Sequence, residues 1–173
     1  MMQRRQFLGA AALGGLVATL PLSVSAADTA GLPNLAANAI PIAAAERQAR
    51  IARAAALLRA NDIDALLIEP GSSLVYFTGV EWWRSERLTA AVLTREGEVA
   101  IVTPFFEEPS VRESLAVEAE VLTWNEDDNP LAAVGIWLGK RGLAKRRIGI
   151  EETVRYFAVD GLQKAMPNAT PVN

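Results

Sequence analysis

Twelve consecutive residues, from Tyr76 to Arg87, combine side chain types that can hold a small organic acid. The segment contains four aromatic residues and two arginines, together with two glutamates. An arginine binds a carboxylate through paired hydrogen bonds, and aromatic rings supply the apolar surface on the other side of such a ligand. This density of aromatic and arginine side chains therefore predicts a binding site for a small carboxylate.

The aromatic residues of this segment also have a purely structural interpretation. Tyr76 and Phe77 suit positions in the core, and the adjacent Trp82 and Trp83 suit packing. Two adjacent tryptophans cannot both face the same interior, so we expect at least one of them to lie at a surface that another molecule covers. Packing and a ligand or interface role both stay open for this pair.

Three pairs of neighbouring carboxylates are the other candidates for chemistry. Such pairs can share a proton or bind a divalent cation through their oxygens. They also suit the first turns of helices and the connections between strands and helices, and we favour this structural interpretation. The pairs are Glu107-Glu108, Asp127-Asp128 and Glu151-Glu152.

The composition of the chain excludes several classes of site. The 173 residues include no histidine and no cysteine, which removes Ser-His-Asp and Cys-His nucleophile pairs, imidazole metal ligands and disulfides. The formal net charge is −3, so no basic field gathers phosphates. The basic cluster Lys140-Arg141 and Lys145 to Arg147 has no aromatic residues between its charges. We therefore expect no nucleic acid as partner.

The first 26 residues have the three parts of an export signal. Arg4 and Arg5 resemble the twin-arginine motif, an apolar run covers residues 7–20, and Val24-Ser25-Ala26 is a cleavage site of the A-x-A type. The alternative is a membrane anchor, but a run of 14 residues before Pro21 is short of the ~20 that a spanning helix needs. The sequence predicts export to the periplasm or beyond by the twin-arginine route, without a stable membrane anchor.

The remaining chain alternates between helical and strand patterns after an extended leader over residues 27–42. Apolar residues recur at spacings of three and four in the helical segments, and short apolar runs bounded by turn residues mark the strands. We predict helices from Ala43 to Asn61, 107–115, from Pro130 to Gly142 and 153–166, a short helical turn before Tyr76, and strands over 64–69, 88–94, 98–103, 119–123, 147–151 and 169–172.

This order of elements predicts the fold class. A helix and a strand are followed by two strands joined at Arg95-Glu96-Gly97, where glycine supplies the positive φ of a tight turn. Helices then alternate with strands up to the last residue. The pattern is typical of an α/β sandwich whose mixed sheet is antiparallel at the hairpin and parallel across the helical crossovers. Residues 43–173 are predicted to form one domain.

Four features of this domain occur in an order that resembles a known family. They are the strand Asp64 to Ile68, the motif Tyr76-Phe77-Thr78-Gly79, the hairpin from Leu88 to Thr103 and the strand Arg147-Ile148-Gly149-Ile150-Glu151. Over residues 43–173 the chain resembles the N-terminal domain of the creatinase/prolidase family, which includes Xaa-Pro aminopeptidases, Xaa-Pro dipeptidases and creatinase.

The resemblance implies a ribonuclease-H-like, three-layer sandwich that precedes a larger, pita-bread catalytic domain. In peptidase members that second domain binds two divalent metals through two Asp, one His and two Glu. None of these ligands can be assigned in this chain, which has no histidine. The resemblance therefore implies no catalytic residue, no metal ligand and no cofactor here, and it implies as partners the missing C-terminal catalytic domain and a second copy in a homodimer.

The resemblance also implies a role for the segment after Tyr-x-x-Gly, which in family members lies near the mouth of the active site, often that of the partner subunit. Creatinase-like members place an arginine from this region on the substrate carboxylate. Arg87 is the best match for it, and Arg84 is the second. Trp82 and Trp83 would narrow the entrance, and Tyr76 completes the set of substrate-binding candidates.

Three functions follow from these observations. The preferred one is a substrate-capping and dimer-interface N-terminal domain of an exported Xaa-Pro peptidase or creatinase-like metallohydrolase, not catalytic alone. The alternative is a free-standing periplasmic module that binds a small molecule or a partner. The third is an enzyme with a metal site made only of carboxylates.

Overall fold

The computed structural model describes residues 33–173, of which Pro41–Asn173 form one compact unit. The predicted export signal, with Arg4 and Arg5, lies outside the described residues. The described part of the predicted leader, 33–42, is exposed and contains a single turn at 35–38. The elements of the compact unit are α1 Ala44–Ala60, β1 Ala65–Ile68, α2 Ser72–Thr78, β2 Ala90–Thr94, β3 Val99–Pro104, α3 Glu108–Ser114, β4 Glu120–Trp124, α4 Pro130–Lys140, β5 Arg147–Ile150, α5 Tyr156–Ala165 and β6 Thr170–Val172.

All six strands form one mixed sheet in the order β4-β3-β2-β1-β5-β6. Only β2 is antiparallel to its neighbours, β1 and β3, and the other pairs are parallel. The carboxyl ends of the other five strands therefore meet at one edge of the sheet, which we call the C-terminal edge. The opposite edge is the N-terminal edge. The predicted mixed topology, antiparallel at the hairpin, is confirmed.

Both faces of the sheet are covered by helices. Side chains alternate along each strand, so Ala65 and Leu67 of β1 pack against α4 and α5, while Ile68 packs against α1, α2 and α3. The helices contribute Leu131, Val134, Leu138, Ala158 and Leu162 on the first face and Ile51, Leu58, Leu74 and Val111 on the second. Strands buried on both faces read as continuous apolar runs, which is the pattern that the sequence shows. The predicted three-layer α/β sandwich is confirmed.

Helix α2 ends at a glycine that the fold requires. Gly79 has a φ of +83°, and a Cβ at this position would lie 2.7 Å from Cβ of Ala116. Two arginines of α1 satisfy the last carbonyls of α2: Arg47 donates to Val75, and Arg50 donates to Tyr76 at 3.0 Å. The glycine of the Tyr-x-x-Gly motif therefore allows the chain to turn out of α2 toward the C-terminal edge.

The structure confirms one predicted helix start and corrects another. Helix α4 starts at Pro130, as predicted, and its N-cap is Asn129, whose side chain accepts a hydrogen bond from the Leu131 amide at 3.0 Å. Helix α5 starts at Tyr156 instead of Thr153. The reason is that the carboxylate of Glu151 accepts hydrogen bonds from the amide and hydroxyl of Thr153, which keeps this stretch in a turn.

Candidate functional site

The candidate site lies at the C-terminal edge, between the adjacent parallel strands β1 and β5. Helix α2 leaves β1 toward one face of the sheet, and α5 leaves β5 toward the other. Two loops that diverge in this way open a crevice at the ends of their strands, where α/β sheets commonly bind ligands. The third wall comes from residues 79–89, which contain no helix or strand and which we call the aromatic loop.

A groove of about 590 Å³ lies along two of these walls, the β1–α2 side and the aromatic loop. Trp82 is partly buried against the core on the α2 side, whereas Trp83 is 91% exposed. The expectation that at least one of the two lies at the surface is confirmed. The groove is lined by Pro70, Gly71, Ser72, Val75, Glu81, Trp82, Trp83 and Arg84.

Arg84 ties the three walls of the crevice together. Its Nε donates to the carbonyl oxygen of Pro70 at 3.0 Å, after β1, and its Nη2 donates to the hydroxyl of Thr153, after β5. Glu151 accepts from Ser73 of α2 at 3.3 Å and from the hydroxyl of Thr153 at 2.6 Å. The guanidinium of Arg84 therefore stands at the groove in a fixed orientation.

An ion pair between a buried glutamate and a partly exposed arginine holds the aromatic loop, and the sequence did not predict it. The side chain of Glu69, at the end of β1, is 0% exposed and accepts from the Arg155 amide at 2.7 Å. Its second oxygen accepts from Nε of Arg155 at 3.0 Å and from Nη2 at 2.7 Å. The remaining terminal nitrogen of Arg155 donates to the carbonyl of Ser85. A glutamate that closes an apolar strand run was the only sequence signal for this pair.

Arg87 lies apart from the groove lined by the tryptophans. Its Nη2 lies 2.6 Å from the carboxylate of Glu126, and its other terminal nitrogen pairs with Glu86. The hydrogen bond with Glu126 raises the pKa of Arg87 above its ordinary value. The guanidinium also lies over the ring of Phe106, 5.5 Å from its centre. The structure thus brings Trp82, Trp83 and Arg84 together and places Arg87 beside the ends of β3 and β4.

Tyr76 lies on α2 and faces α1. Its ring is 4.2 Å from the guanidinium carbon of Arg50 and packs edge to face on Phe77, with 4.9 Å between ring centres. The residue is 45% exposed, so the prediction that Tyr76 belongs to the core is wrong. A cation–π contact with an arginine of α1 holds the ring at the surface instead. Tyr76 is not among the residues that line the groove.

Exposed aromatic residues concentrate at the C-terminal edge. Phe105 and Phe106 follow β3 and stack edge to face, with 5.5 Å between ring centres. Tyr156 and Phe157 begin α5, and Arg155 lies over the Phe157 ring at 4.6 Å. With Trp83, five of the six exposed aromatic residues of the described chain are at this edge. Monomeric proteins rarely expose so many large apolar groups at one end unless a partner covers them.

The described residues hold no metal-binding cluster. Within residues 33–173 no group of three or more carboxylates could bind an ion, and the three acidic pairs make separate local contacts. Glu107 accepts from Thr89, Glu108 pairs with Arg112 and Asp128 accepts from Asn125. These residues therefore do not fit the dinuclear metal centre that the resemblance implies for a catalytic domain. None of the described helices is both long and apolar enough to cross a bilayer.

Comparison with known proteins places this domain in a family. The model of the creatinase/prolidase N-terminal domain matches residues 50–173. An uncharacterised peptidase of Schizosaccharomyces pombe is 33% identical over 148 residues, which cover 78% of this chain and 32% of the relative.

Two solved structures give the same result. The dipeptidase PepE of Mycobacterium ulcerans is similar with a TM-score of 0.65 and 29% identity, over 76% of this chain and 35% of that one. The creatinase/prolidase N-terminal domain of an X-Pro dipeptidase from Streptococcus pyogenes shares the fold, with a TM-score of 0.63 and 16% identity over 73% of this chain and 93% of that one.

The matched region covers about a third of the S. pombe and M. ulcerans proteins. Its match to the S. pyogenes domain, by contrast, spans almost that whole chain. The six-stranded mixed sheet, its flanking helices and the matching model agree on one assignment. This chain belongs to the creatinase/prolidase N-terminal domain family.

Proposed function

We propose that this chain is the substrate-capping N-terminal domain of an exported Xaa-Pro peptidase or creatinase-like hydrolase, and that it is not catalytic alone. The observation that carries the proposal is the C-terminal edge, where the groove, the aromatic loop and most of the exposed aromatic residues lie together. A surface of this kind suits a lid that closes over a ligand held by another domain.

The ligand that suits the groove is a peptide or a small carboxylate. Trp82 and Trp83 offer aromatic surface to an apolar side chain, and Arg84 offers a positive charge beside them. Among residues 33–173, Nη1 of Arg84 makes no hydrogen bond, so it can donate to a ligand. Arg87 is the second candidate, but a carboxylate would have to compete there with Glu126.

Two partners are proposed for the C-terminal edge. The first is a catalytic domain that supplies the divalent metals and is encoded in the same gene or a neighbouring one. The second is another copy of the chain in a homodimer. The length of the relatives supports the first, because the matched region is about a third of those proteins. The five exposed aromatic residues at this edge support its role in docking.

Export by the twin-arginine route to the periplasm is part of the proposal. Its support is Arg4-Arg5 followed by Gln6-Phe7-Leu8, the apolar run and the small residues before Asp28. Replacing Arg4 and Arg5 with lysine is expected to retain the protein in the cytoplasm, as measured by cell fractionation. An unchanged periplasmic yield would contradict this route.

The test of the proposed function compares the chain with the whole gene product that contains it. With Mn²⁺ added, the 173-residue chain is expected to leave Xaa-Pro dipeptides intact, and the product that includes the catalytic domain is expected to hydrolyse them. In that product Trp83→Ala and Arg84→Ala should raise KM about tenfold, while Ile136→Ala, a matched exposed apolar position away from the edge, should not. Hydrolysis by the chain alone, or insensitivity to both changes, would overturn the proposal.

A free-standing binding module is the second candidate, and the groove itself is the observation that favours it. Calorimetry with a dipeptide or a small carboxylate distinguishes the two functions. If the isolated chain binds the ligand, and Arg84→Ala abolishes binding more than Arg87→Ala does, the module is favoured. Absence of binding together with activity of the larger product favours the capping domain.

A further inference from the structure

We propose that Glu69 and Arg155 are positioning residues that hold the aromatic loop in place over the C-terminal edge. The value of this arrangement to catalysis rests on the proposed function, because the loop carries the side chains that would meet the substrate. The arrangement itself depends only on the contacts of the two residues. Neither residue lines the groove.

The geometry leaves Arg155 little freedom. Glu69 accepts three hydrogen bonds from Arg155, one from its amide and two from its guanidinium, at 2.7 to 3.0 Å. These bonds fix the plane of the guanidinium and direct its remaining terminal nitrogen at the carbonyl oxygen of Ser85. The side chain of Arg155 therefore fixes the position of the loop backbone relative to the end of β1 and the start of α5.

A gain in stability does not explain why this ion pair is present, because Glu69 is buried. Its side chain is completely buried, and burying a carboxylate is unfavourable even when it is paired. Two apolar residues of similar volume would serve packing at least as well. An apolar pair would lack an acceptor for the Arg155 amide and a donor for a loop carbonyl, and the charged pair supplies both. The bond to Ser85 is the contact that reaches the loop, so orientation of the loop is the contribution of the Arg155 guanidinium.

Few hydrogen bonds hold the backbone in the middle of the aromatic loop. It is anchored at its ends, where Val80 and Leu88 are buried, and Ser85 and Arg87 close a small turn within it. Between these anchors the side chains of Trp82, Arg84 and Arg87 contact the rest of the fold. Among the described residues outside the loop, only Arg155 hydrogen-bonds to the backbone of this stretch, at the carbonyl of Ser85. Loss of this contact should loosen the backbone around Ser85, between the two arginines of the loop.

Trypsin digestion of the folded chain reports on this loop directly, because Arg84 and Arg87 are cleavage sites within it. The main variant is Glu69→Gln/Arg155→Met, which removes both charges and so leaves no unpaired charge in the core. The second is Arg155→Lys, which keeps a positive charge for Glu69 but lacks the fork that reaches Ser85. The control is Asp64→Asn/Arg95→Met, which removes a buried pair at the other end of β1.

We expect cleavage after Arg84 and Arg87 to be about tenfold faster in the first two variants, because local opening exposes the loop. Cleavage after Lys145 and Arg146, in an exposed loop at the N-terminal edge, should change less than about twofold. The control variant should leave the loop sites as they are in the wild type. Equal acceleration at every site, equal acceleration in the control, or no acceleration would overturn the proposal. The assay uses no substrate, so it stands apart from the test of the proposed function.

Discussion

Both ends of strand β1 carry a buried carboxylate that binds an arginine, but the two pairs differ in their other contacts. At the N-terminal edge, buried Asp64 accepts from Arg95 at 2.9 Å and from the amide of Arg147 at 3.1 Å. At the C-terminal edge, buried Glu69 accepts from the side chain and the amide of Arg155. Each carboxylate binds one arginine side chain and one backbone amide, and the amide belongs to the first residue of β5 in one case and to the chain after β5 in the other. Only the pair at the C-terminal edge also reaches a loop carbonyl, that of Ser85.

The surfaces around these two pairs differ in the same way. The cavity at the N-terminal edge, about 380 Å³, is polar and acidic: it is lined by three glutamates and one arginine, and Arg141 is bonded to Glu98 and Glu120. The larger groove at the C-terminal edge is lined by tryptophans and lies among exposed aromatic residues. Large exposed apolar groups are the more common mark of a surface that another molecule covers. The partners proposed above would therefore bind at the C-terminal edge and not at the N-terminal edge.

The largest expected difference between the two edges is in stability. Arg155→Met removes two of the three hydrogen bonds of a fully buried carboxylate, so we expect a loss of about 3–5 kcal/mol in the free energy of unfolding. Arg95→Met removes one of the two bonds of Asp64 and should cost about 1–3 kcal/mol. Urea unfolding measures both.

A matched surface pair provides the reference for these losses. Arg112 pairs with Glu108 on the exposed face of α3, so Arg112→Met should cost less than about 0.5 kcal/mol. Equal losses for Arg155→Met and Arg95→Met would contradict the idea that Glu69 depends more heavily on its arginine than Asp64 does.

The second expected difference is in association. The isolated chain should self-associate through its aromatic edge, and Trp83→Ser/Phe105→Ser should weaken this association about tenfold, because exposed aromatic residues dominate such contacts. The melting temperature should hardly change, since both side chains are exposed. Sedimentation velocity at several concentrations measures the association.

Ile136 provides the control for association, because it is exposed to a similar degree as Phe105 but lies on α4. Ile136→Ser should leave self-association unchanged. A wild-type chain that stays monomeric at every concentration, or an equal effect of Ile136→Ser, would show that the aromatic edge does not associate more strongly than the rest of the surface.

The layout of the fold could be predicted from the sequence because its signals are local. The apolar run before Glu69 marks β1, and Gly97, with a φ of +88°, marks the hairpin turn that places β2 antiparallel. Such signals depend on a few neighbouring residues, so they can be recognised without knowledge of the tertiary structure. The elements were accordingly recovered in order, and the start of α5 was the main error among the helices.

The candidate site could be predicted only as a segment. The sequence predicts a binding role for residues 76–87, and this stays a prediction, but the spacing of two arginines three residues apart does not rank them. The carbonyl of Pro70 and the hydroxyl of Thr153 hold Arg84 at the groove, while Glu126 holds Arg87 away from it. Each partner comes from a distant part of the chain. The pair of Glu69 with Arg155, 86 residues apart, was out of reach for the same reason.

The smallest expected difference concerns a charge at the N-terminal edge. The indole N–H of Trp137 and the guanidinium of Arg141 lower the pKa of Glu120 from its ordinary value of 4.5. The indole nitrogen makes no hydrogen bond of good geometry with a described residue, so the bond from Arg141 at 2.6 Å is the firmer cause. Because Glu120 is exposed, its ion pair is worth less than about 0.5 kcal/mol.

The direction of the shift fixes how this contribution depends on pH. A carboxylate with a lowered pKa in the folded state stabilises the protein fully above its unfolded pKa, and the contribution is lost as the pH falls through the folded pKa. Glu120→Gln should therefore lower the free energy of unfolding slightly between pH 6 and 8, and the difference from the wild type should disappear once the pH falls below the folded-state pKa of Glu120. Glu118→Gln is the matched control, since Glu118 lines the same cavity and forms no ion pair with a described residue. A difference for Glu120→Gln that persists in acid would mean that the Glu120 side chain stabilises the fold through packing and not through charge. Contacts other than ion pairs would then stabilise the N-terminal edge.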